Sequence, residues 1–247
     1  MAEPGAFCLR LAGRTIAVQP LYPDICTLCA DYRTEGIADF SVVTAPEDIA
    51  FEREKSAREA ALEGIAPRDW PDGYLETLAV YRKIAETMPR YDTMLFHGSC
   101  VAVDGVGYLF TAKSGTGKST HTRLWRELLG DRAVMVNDDK PLIRVTDAGA
   151  TIFGTPWNGK HRLGADLAVP LKALCILERA AENAIRPISE SEAYPMLLQQ
   201  VYRPADADAL ARTLQLIDTM LRTVRLWRMG CNMDLEAARI AYDAMRT

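Results

Sequence analysis

The fold of this chain is decided around the stretch Leu109-Phe110-Thr111-Ala112-Lys113-Ser114-Gly115-Thr116-Gly117-Lys118-Ser119-Thr120. Its apolar start predicts a strand, its two glycines predict a tight turn, and the polar residues after them predict the start of a helix. Such a turn directs backbone N–H groups at one point, where the helix N-terminus adds partial positive charge. The stretch therefore predicts a phosphate-binding loop.

The residues of this loop suit a nucleotide with its metal ion. Lys118 supplies a charge for the β- and γ-phosphates, and Ser119 supplies a hydroxyl for Mg²⁺. The usual pattern, G-x-x-x-x-G-K-[ST], begins with glycine, whereas this chain has Ala112 there. The alternative is a glycine-rich turn with a solvated lysine, which leaves Lys-Ser-Thr at the helix start unexplained. The residues predicted to bind the nucleotide are Ser114, Gly115, Thr116, Gly117, Lys118, Ser119 and Thr120.

A second polar cluster follows the next apolar strand. Asn137-Asp138-Asp139 comes directly after Ala133–Val136, about twenty residues beyond Lys118. Strand ends are where open α/β sheets bind ligands. One carboxylate can orient Mg²⁺, for which Asp139 is predicted beside Ser119, while Asp138 or Asp139 takes a proton from an attacking hydroxyl. The alternative is an acidic turn.

Two further candidates are less specific. His97 ends the strand before a hairpin, a position where a lone histidine is most often structural. Lys160 and Arg162 lie in the loop Gly154–Arg162, whose glycines and cations suit a rim that closes over the γ-phosphate. A solvated basic turn explains that loop equally well.

The composition limits the functional classes. The 247-residue chain contains 49% hydrophobic residues. Its net charge of −4 disfavours a nucleic-acid partner. It contains no apolar run of membrane-spanning length, and Met1–Gly5 lacks the features of a signal peptide. Its six cysteines, including the lone C-x-x-C of Cys26 and Cys29, are expected to be reduced thiols. We therefore expect a cytoplasmic protein without a membrane partner.

The remaining pattern predicts an α/β protein with a mixed sheet. A smaller N-terminal α/β lobe is expected over residues 1–92 and a P-loop core over residues 93–247. In the lobe, helices are predicted at Pro20–Gly36, at Glu47–Leu62 as a solvated helix with i,i+4 ion pairs, and from Tyr74 to Met88. In the core, Asp104-Gly105 between apolar runs predicts a hairpin that leads into the loop.

The order of the core motifs resembles the catalytic domain of HPr kinase/phosphorylase. The motifs are His97-Gly98, a valine-rich strand, Gly105-Val106-Gly107, the loop Ser114–Thr120 and Asp138-Asp139. The resemblance covers roughly residues 93–145 and implies a nucleotide fold related to that of phosphoenolpyruvate carboxykinase. It implies ATP phosphates on the loop, Mg²⁺ on Ser119, a base among the two aspartates that activates a serine, and His97 at the site.

These expectations combine into one predicted function with open alternatives. The chain is expected to transfer phosphate from ATP, with Mg²⁺, to a hydroxyl group, most simply a serine of a peptide or protein, as in the smaller HPr-kinase-like proteins that accompany peptide modification. A small-molecule hydroxyl kinase and a non-catalytic nucleotide-binding regulator stay open. The sequence is also compatible with a homo-oligomer, and it does not identify the acceptor.

Overall fold

The structure is a computed structural model that describes residues 5–159 and 161–247, with the backbone but not the side chain of Glu63. The chain divides into two units, Met1–Thr87 and Met88–Thr247; the sequence had suggested a division after residue 92. Within the described residues, every helix is too short or too polar to traverse a lipid bilayer.

Over its described residues, from 5 to 87, the first unit combines a small sheet with three α-helices. Its sheet has the strand order β3-β1-β2-β4, in which β1 and β2 form an antiparallel hairpin and β4 runs parallel to β2. Ala12 and Gly13 turn the hairpin with positive φ values of 46° and 70°. The elements are β1 (Phe7–Leu11), β2 (Arg14–Gln19), α1 (Asp24–Leu28), β3 (Arg33–Thr34), β4 (Phe40–Val43), α2 (Pro46–Glu63) and α3 (Asp72–Thr87).

The prediction of one long helix over Pro20–Gly36 is wrong. Only α1 forms there, followed by a 3-10 turn at Ala30–Tyr32 and by β3. Strand β3 pairs with β1, so that Arg33 lies opposite Leu9. Tertiary pairing thus overrides a helical pattern that was plausible locally.

The ion pairs of α2 also differ from the prediction. Helix α2 forms as predicted, but Arg82 of α3 donates to Glu52 and to Asp48, and both acids belong to α2. Glu52 is only 3% exposed. The charged face of α2 is therefore partly a packing surface against α3, and not a wholly solvated face with i,i+4 pairs.

The second unit is built on a nine-stranded sheet. Its elements are β5 (Thr93–Leu95), β6 (Ser99–Val103), β7 (Val106–Thr111), α4 (Lys118–Leu129), β8 (Ala133–Asn137), β9 (Leu142–Thr146), β10 (Gly149–Phe153), β11 (Ala168–Arg179), β12 (Ala184–Pro187), α5 (Glu190–Gln200), α6 (Ala207–Thr223), β13 (Arg225–Cys231) and α7 (Leu235–Met245). The strand order is β5-β9-β10-β11-β7-β6-β8, with β13 also on β11 and β12 on β13.

The pairing makes this a mixed sheet, which confirms the predicted fold class. Strand β11 runs parallel to β7 and to β13, whereas β6 runs antiparallel to both β7 and β8. The carboxyl ends of β7 and β8 and the amino end of β6 therefore meet at one edge of the sheet. The predicted hairpin turns at Asp104 and Gly105, with φ values of 52° and 83°.

Helices cover both faces of this sheet. Because strand side chains alternate, Leu109 of β7 packs with α5 and α6, whereas Tyr108 and Phe110 pack with α4 and α7. Trp125 of α4 is fully buried against these aromatic rings. The core thereby fixes the start of α4 beside the end of β7.

Candidate phosphoryl-transfer site

The predicted loop connects β7 to α4. Helix α4 begins at Lys118 without a side-chain cap, so the N–H groups of its first turn are left without partners inside the helix. Gly117 precedes it with a φ of 125°, a conformation that only glycine adopts easily. A Cβ atom at Gly115 or Gly117 would meet no atom within 4 Å. The loop therefore has open space at both glycines.

Lys118 is held beneath this loop. Its side chain donates to the carbonyl oxygen of Ala112 at 3.1 Å, and the residue is only 9% exposed. Burial lowers its pKa, while the charges of Asp139 and Asp138 oppose that shift. The ammonium group thus lies within the electrostatic reach of both carboxylates.

Asp138 is a buried carboxylate in a chain of hydrogen bonds. Its Oδ1 accepts from the Ser99 hydroxyl at 2.7 Å, and Ser99 in turn lies 2.9 Å from the Thr122 hydroxyl. Asp138 is 5% exposed. Ser99 opens β6 and Thr122 lies in the first turns of α4, so the chain of bonds links the acidic segment to the helix that follows the loop.

Asn137 fixes the backbone of the acidic segment. Its amide group donates to the carbonyl and hydroxyl oxygens of Thr155, and its carbonyl oxygen accepts from the backbone N–H groups of Asp139 and Lys140. Asn137 is fully buried. A side chain that is bonded on both sides holds the turn of the two aspartates rigidly.

Asp139 faces the predicted histidine. The distance from His97 Nε2 to Asp139 Oδ1 is 3.5 Å, and both side chains are about one-third exposed. Burial lowers the pKa of His97, as does the charge of Lys118, whereas Asp139 raises it. His97 is therefore mainly neutral at neutral pH. The structure brings His97, Lys118 and both aspartates close together.

The loop that follows β10 borders these carboxylates. A Cβ atom at Gly159 would stand 3.6 Å from Asp138 Oδ2. His161 lines a cavity together with Ser119 and Asp138, whereas Arg162 lines an adjoining one. Lys160, one of the two predicted rim cations, lies outside the described residues.

Several residues at this edge escaped the sequence analysis. Arg179, at the end of β11, donates to the carbonyl oxygens of Gly115 and Thr116. Strand β11 is parallel to β7, which brings its last residue beside the loop. Arg179, Ser99 and Thr122 carry no local motif, and only strand pairing reveals them.

Comparisons with known proteins give a family and a weak structural likeness. The family model described as SynChlorMet cassette protein ScmC matches residues 70–210, more than half of the chain. No curated protein matches. The chain is also similar to a solved structure of the Hpr(Ser) kinase/phosphatase from Coxiella burnetii, at 10% identity over 62% of this chain and 99% of that one. The TM-score is 0.33, too low to establish a shared fold.

Proposed function

This chain belongs to the family of the SynChlorMet cassette protein ScmC, and we propose that it is a kinase that transfers the γ-phosphate of ATP, with Mg²⁺, to a hydroxyl group. The acceptor class that the motifs favour is a serine of a peptide or protein. The observation that carries this proposal is that Lys118 and Asp138 are both buried beside an open loop that contains two glycines.

The residues at the sheet edge fit Mg·ATP. The uncapped N-terminus of α4 and the free space over Gly115 and Gly117 suit a phosphate chain. Mg²⁺ bound with a nucleotide needs only one or two protein ligands, and Ser119 with the partly exposed Asp139 would hold it. When bound, this ion neutralises charge on the phosphates and fixes their position.

The two aspartates differ in ways that suit different roles. Asp138 is buried, is oriented by Ser99 and lines the same cavity as Ser119. In the proposed reaction its carboxylate takes the proton of the acceptor hydroxyl as that oxygen bonds to the γ-phosphorus, and the bond from the phosphorus to the β-phosphate oxygen breaks to release ADP. Lys118 stabilises charge on the transferred group.

Replacement of the proposed base separates catalysis from nucleotide binding. Asp138→Asn is expected to leave Mg·ATP affinity within about threefold in calorimetry while it cuts phosphate transfer at least ~100-fold, the scale of general base catalysis. Transfer is measured with γ-³²P-ATP on arrayed serine peptides, with ADP release in parallel. Asp147→Asn, in the exposed turn between β9 and β10, is the matched control.

The outcomes distinguish the alternatives. A parent protein that does not bind Mg·ATP at millimolar concentration would contradict the proposal altogether. A parent that binds Mg·ATP but forms ADP no faster than a protein-free control would be a nucleotide-binding regulator. Phosphate transfer that survives in Asp138→Asn would remove this residue as the base.

A further inference from the structure

A cavity of about 410 Å³ opens beside the first turns of α4. Ser119 and Asp138 lie in its wall, which makes it the space from which a hydroxyl can approach the proposed base. Arg123, Arg126 and His161 line the same cavity. A space that joins the reaction centre to basic side chains is a candidate for the acceptor site.

Helix geometry explains why these residues share one wall. Ser119, Arg123 and Arg126 are spaced four and three residues apart, which aligns them on one face of α4. Seven residues correspond to about 10 Å along the helix axis. Side chains on a helix tend to lean toward its N-terminus, and Arg126 lines the same cavity as Ser119. The basic groups therefore lie a short distance from the reacting hydroxyl.

The two arginines differ in whether an acidic side chain pairs with them. Arg123 pairs with Glu127 at 3.3 Å, on a side where both groups are more than half exposed. Arg126 is half-buried and makes no ion pair with any residue in the described ranges. It also borders the adjoining cavity of about 540 Å³, which Arg162 lines. Arg126 thus lies in the wall of both cavities, in a chain whose net charge is −4.

We propose that the acceptor carries an anionic group, a carboxylate or a phosphate, which Arg126 binds, with support from Arg123, while the acceptor hydroxyl faces Asp138. This inference rests on the proposed kinase function. A guanidinium group matches carboxylate and phosphate oxygens with paired hydrogen bonds, which fixes orientation as well as charge. It also offsets the repulsion between an anionic acceptor and the phosphates of ATP. The anionic group belongs either to a small hydroxy acid or phosphate ester, or to an acidic residue beside a serine in a peptide.

The experiment compares acceptors that differ in whether they carry an anionic group. The pairs are glycerol 3-phosphate with glycerol, L-serine with L-serinamide, and a serine peptide flanked by aspartate with its asparagine twin. ADP formation is measured with saturating Mg·ATP in the parent, in Arg126→Gln and in Arg239→Gln, an exposed arginine of α7 that serves as control. At least one anionic member is expected to exceed its neutral twin by about tenfold or more in kcat/KM, and this preference is expected to vanish only in Arg126→Gln. The small-molecule and peptide pairs distinguish the two sources.

A binding measurement decides the matter if no member of the panel accepts phosphate. Glycerol 3-phosphate is titrated into the protein with a non-hydrolysable Mg·ATP analogue, and the parent is expected to bind it at least tenfold more tightly than Arg126→Gln does. Equal affinity, or equal use of charged and neutral acceptors, overturns the inference. If Mg·ATP itself binds normally in those cases, the kinase proposal survives; if Mg·ATP does not bind, the kinase proposal fails first.

Discussion

The phosphate loop and the acidic segment lie at the same edge of the sheet, but they are built in opposite ways. In the loop, Ser114 and Ser119 are exposed, and the space over Gly115 and Gly117 is open. In the acidic segment, Asn137–Asp139, the asparagine is fully buried and bonded on both sides. The protein itself therefore fixes the acidic segment, whereas the loop presents open space that the nucleotide would fill under the proposed function.

Lys118 is the exception within the loop, because it is buried there, and its removal should have the largest effect. Lys118→Ala is expected to lower turnover by about 10³-fold, since a charge at the transferred phosphate is lost. Mg·ATP affinity should weaken about 10- to 100-fold with the charged hydrogen bonds. Calorimetry and ADP release measure the two effects. Lys113→Ala, an exposed lysine just before the loop, should stay near the parent. Unchanged affinity and turnover in Lys118→Ala would remove the phosphate-loop assignment.

The pH dependence of stability tests whether His121, in the helix that follows the loop, is held neutral by the fold. His121 lies in α4, its Nε2 accepts from Trp125, and burial lowers its pKa to about 4. A histidine in the unfolded chain has a pKa of ~6.5. Between these values only the unfolded state binds the proton, so stability should fall as the pH drops from ~6.5 toward 4 and should be constant above. The difference between the two pKa values of His121 corresponds to a loss of about 3 kcal/mol in the free energy of unfolding over this pH range.

Urea unfolding at pH 7 and pH 4.5 measures this contribution. His121→Gln should lose part of the acid sensitivity of the parent, whatever its stability at pH 7. The pKa of His97 is lowered in the same direction, so His97→Gln is the comparison beside the acidic segment. An identical pH dependence in parent and His121→Gln would mean that the protonation of His121 is not coupled to folding.

The loop was predictable from the sequence because its chemistry is local. A strand, glycines and Lys-Ser-Thr stand together in Leu109–Thr120, and the hairpin at Asp104-Gly105 needs only its own two residues. The role of Asn137 was not predictable, because its partner Thr155 comes eighteen positions later and contacts it only in the folded sheet, where β8 pairs with β6 and β10 pairs with β9 and β11. Arg126 was missed for a related reason, since a cavity has no signature in a helical pattern.

The lobe shows the same limit more clearly. The segment Pro20–Gly36 has helical signals at both ends, yet strand pairing with β1 takes Arg33 and Thr34 out of the helix. Helix α2 was placed correctly, but the residues that pair with Glu52 lie on another helix. Local periodicity predicts that an element exists, whereas its partners depend on contacts distant in sequence.

The preformed state of the acidic segment can be tested through Ser99. Ser99→Ala removes the hydrogen bond to Asp138 and should lower kcat about tenfold, the value of one bond to a charged group. Mg·ATP affinity should not change, because the loop keeps its own contacts. Thr122→Val is the matched control, since Thr122 touches Ser99 but not Asp138 in the described contacts, and it should have a smaller effect. A proportional loss of Mg·ATP affinity in Ser99→Ala would show that the two regions are not independent.

The smallest effect is expected at the loop Gly154–Arg162, which borders both regions. Arg162 is exposed and has a φ of 48°, which is strained for a residue with a side chain. It lines the cavity that adjoins the candidate acceptor site, and it does not line the cavity of Ser119 and Asp138.

If the loop closes during transfer, Arg162→Ala should reduce single-turnover transfer by a few-fold, about 1 kcal/mol or less, and should leave ATP and ADP affinities unchanged. Arg162→Gly separates the charge from the backbone, because glycine relieves the strain while it also removes the cation. Equal losses in both variants would assign the effect to the guanidinium, and a loss in one variant alone would assign it to the backbone. If both variants turn over like the parent, the loop is a solvated turn, and only the phosphate loop and the acidic segment form the site.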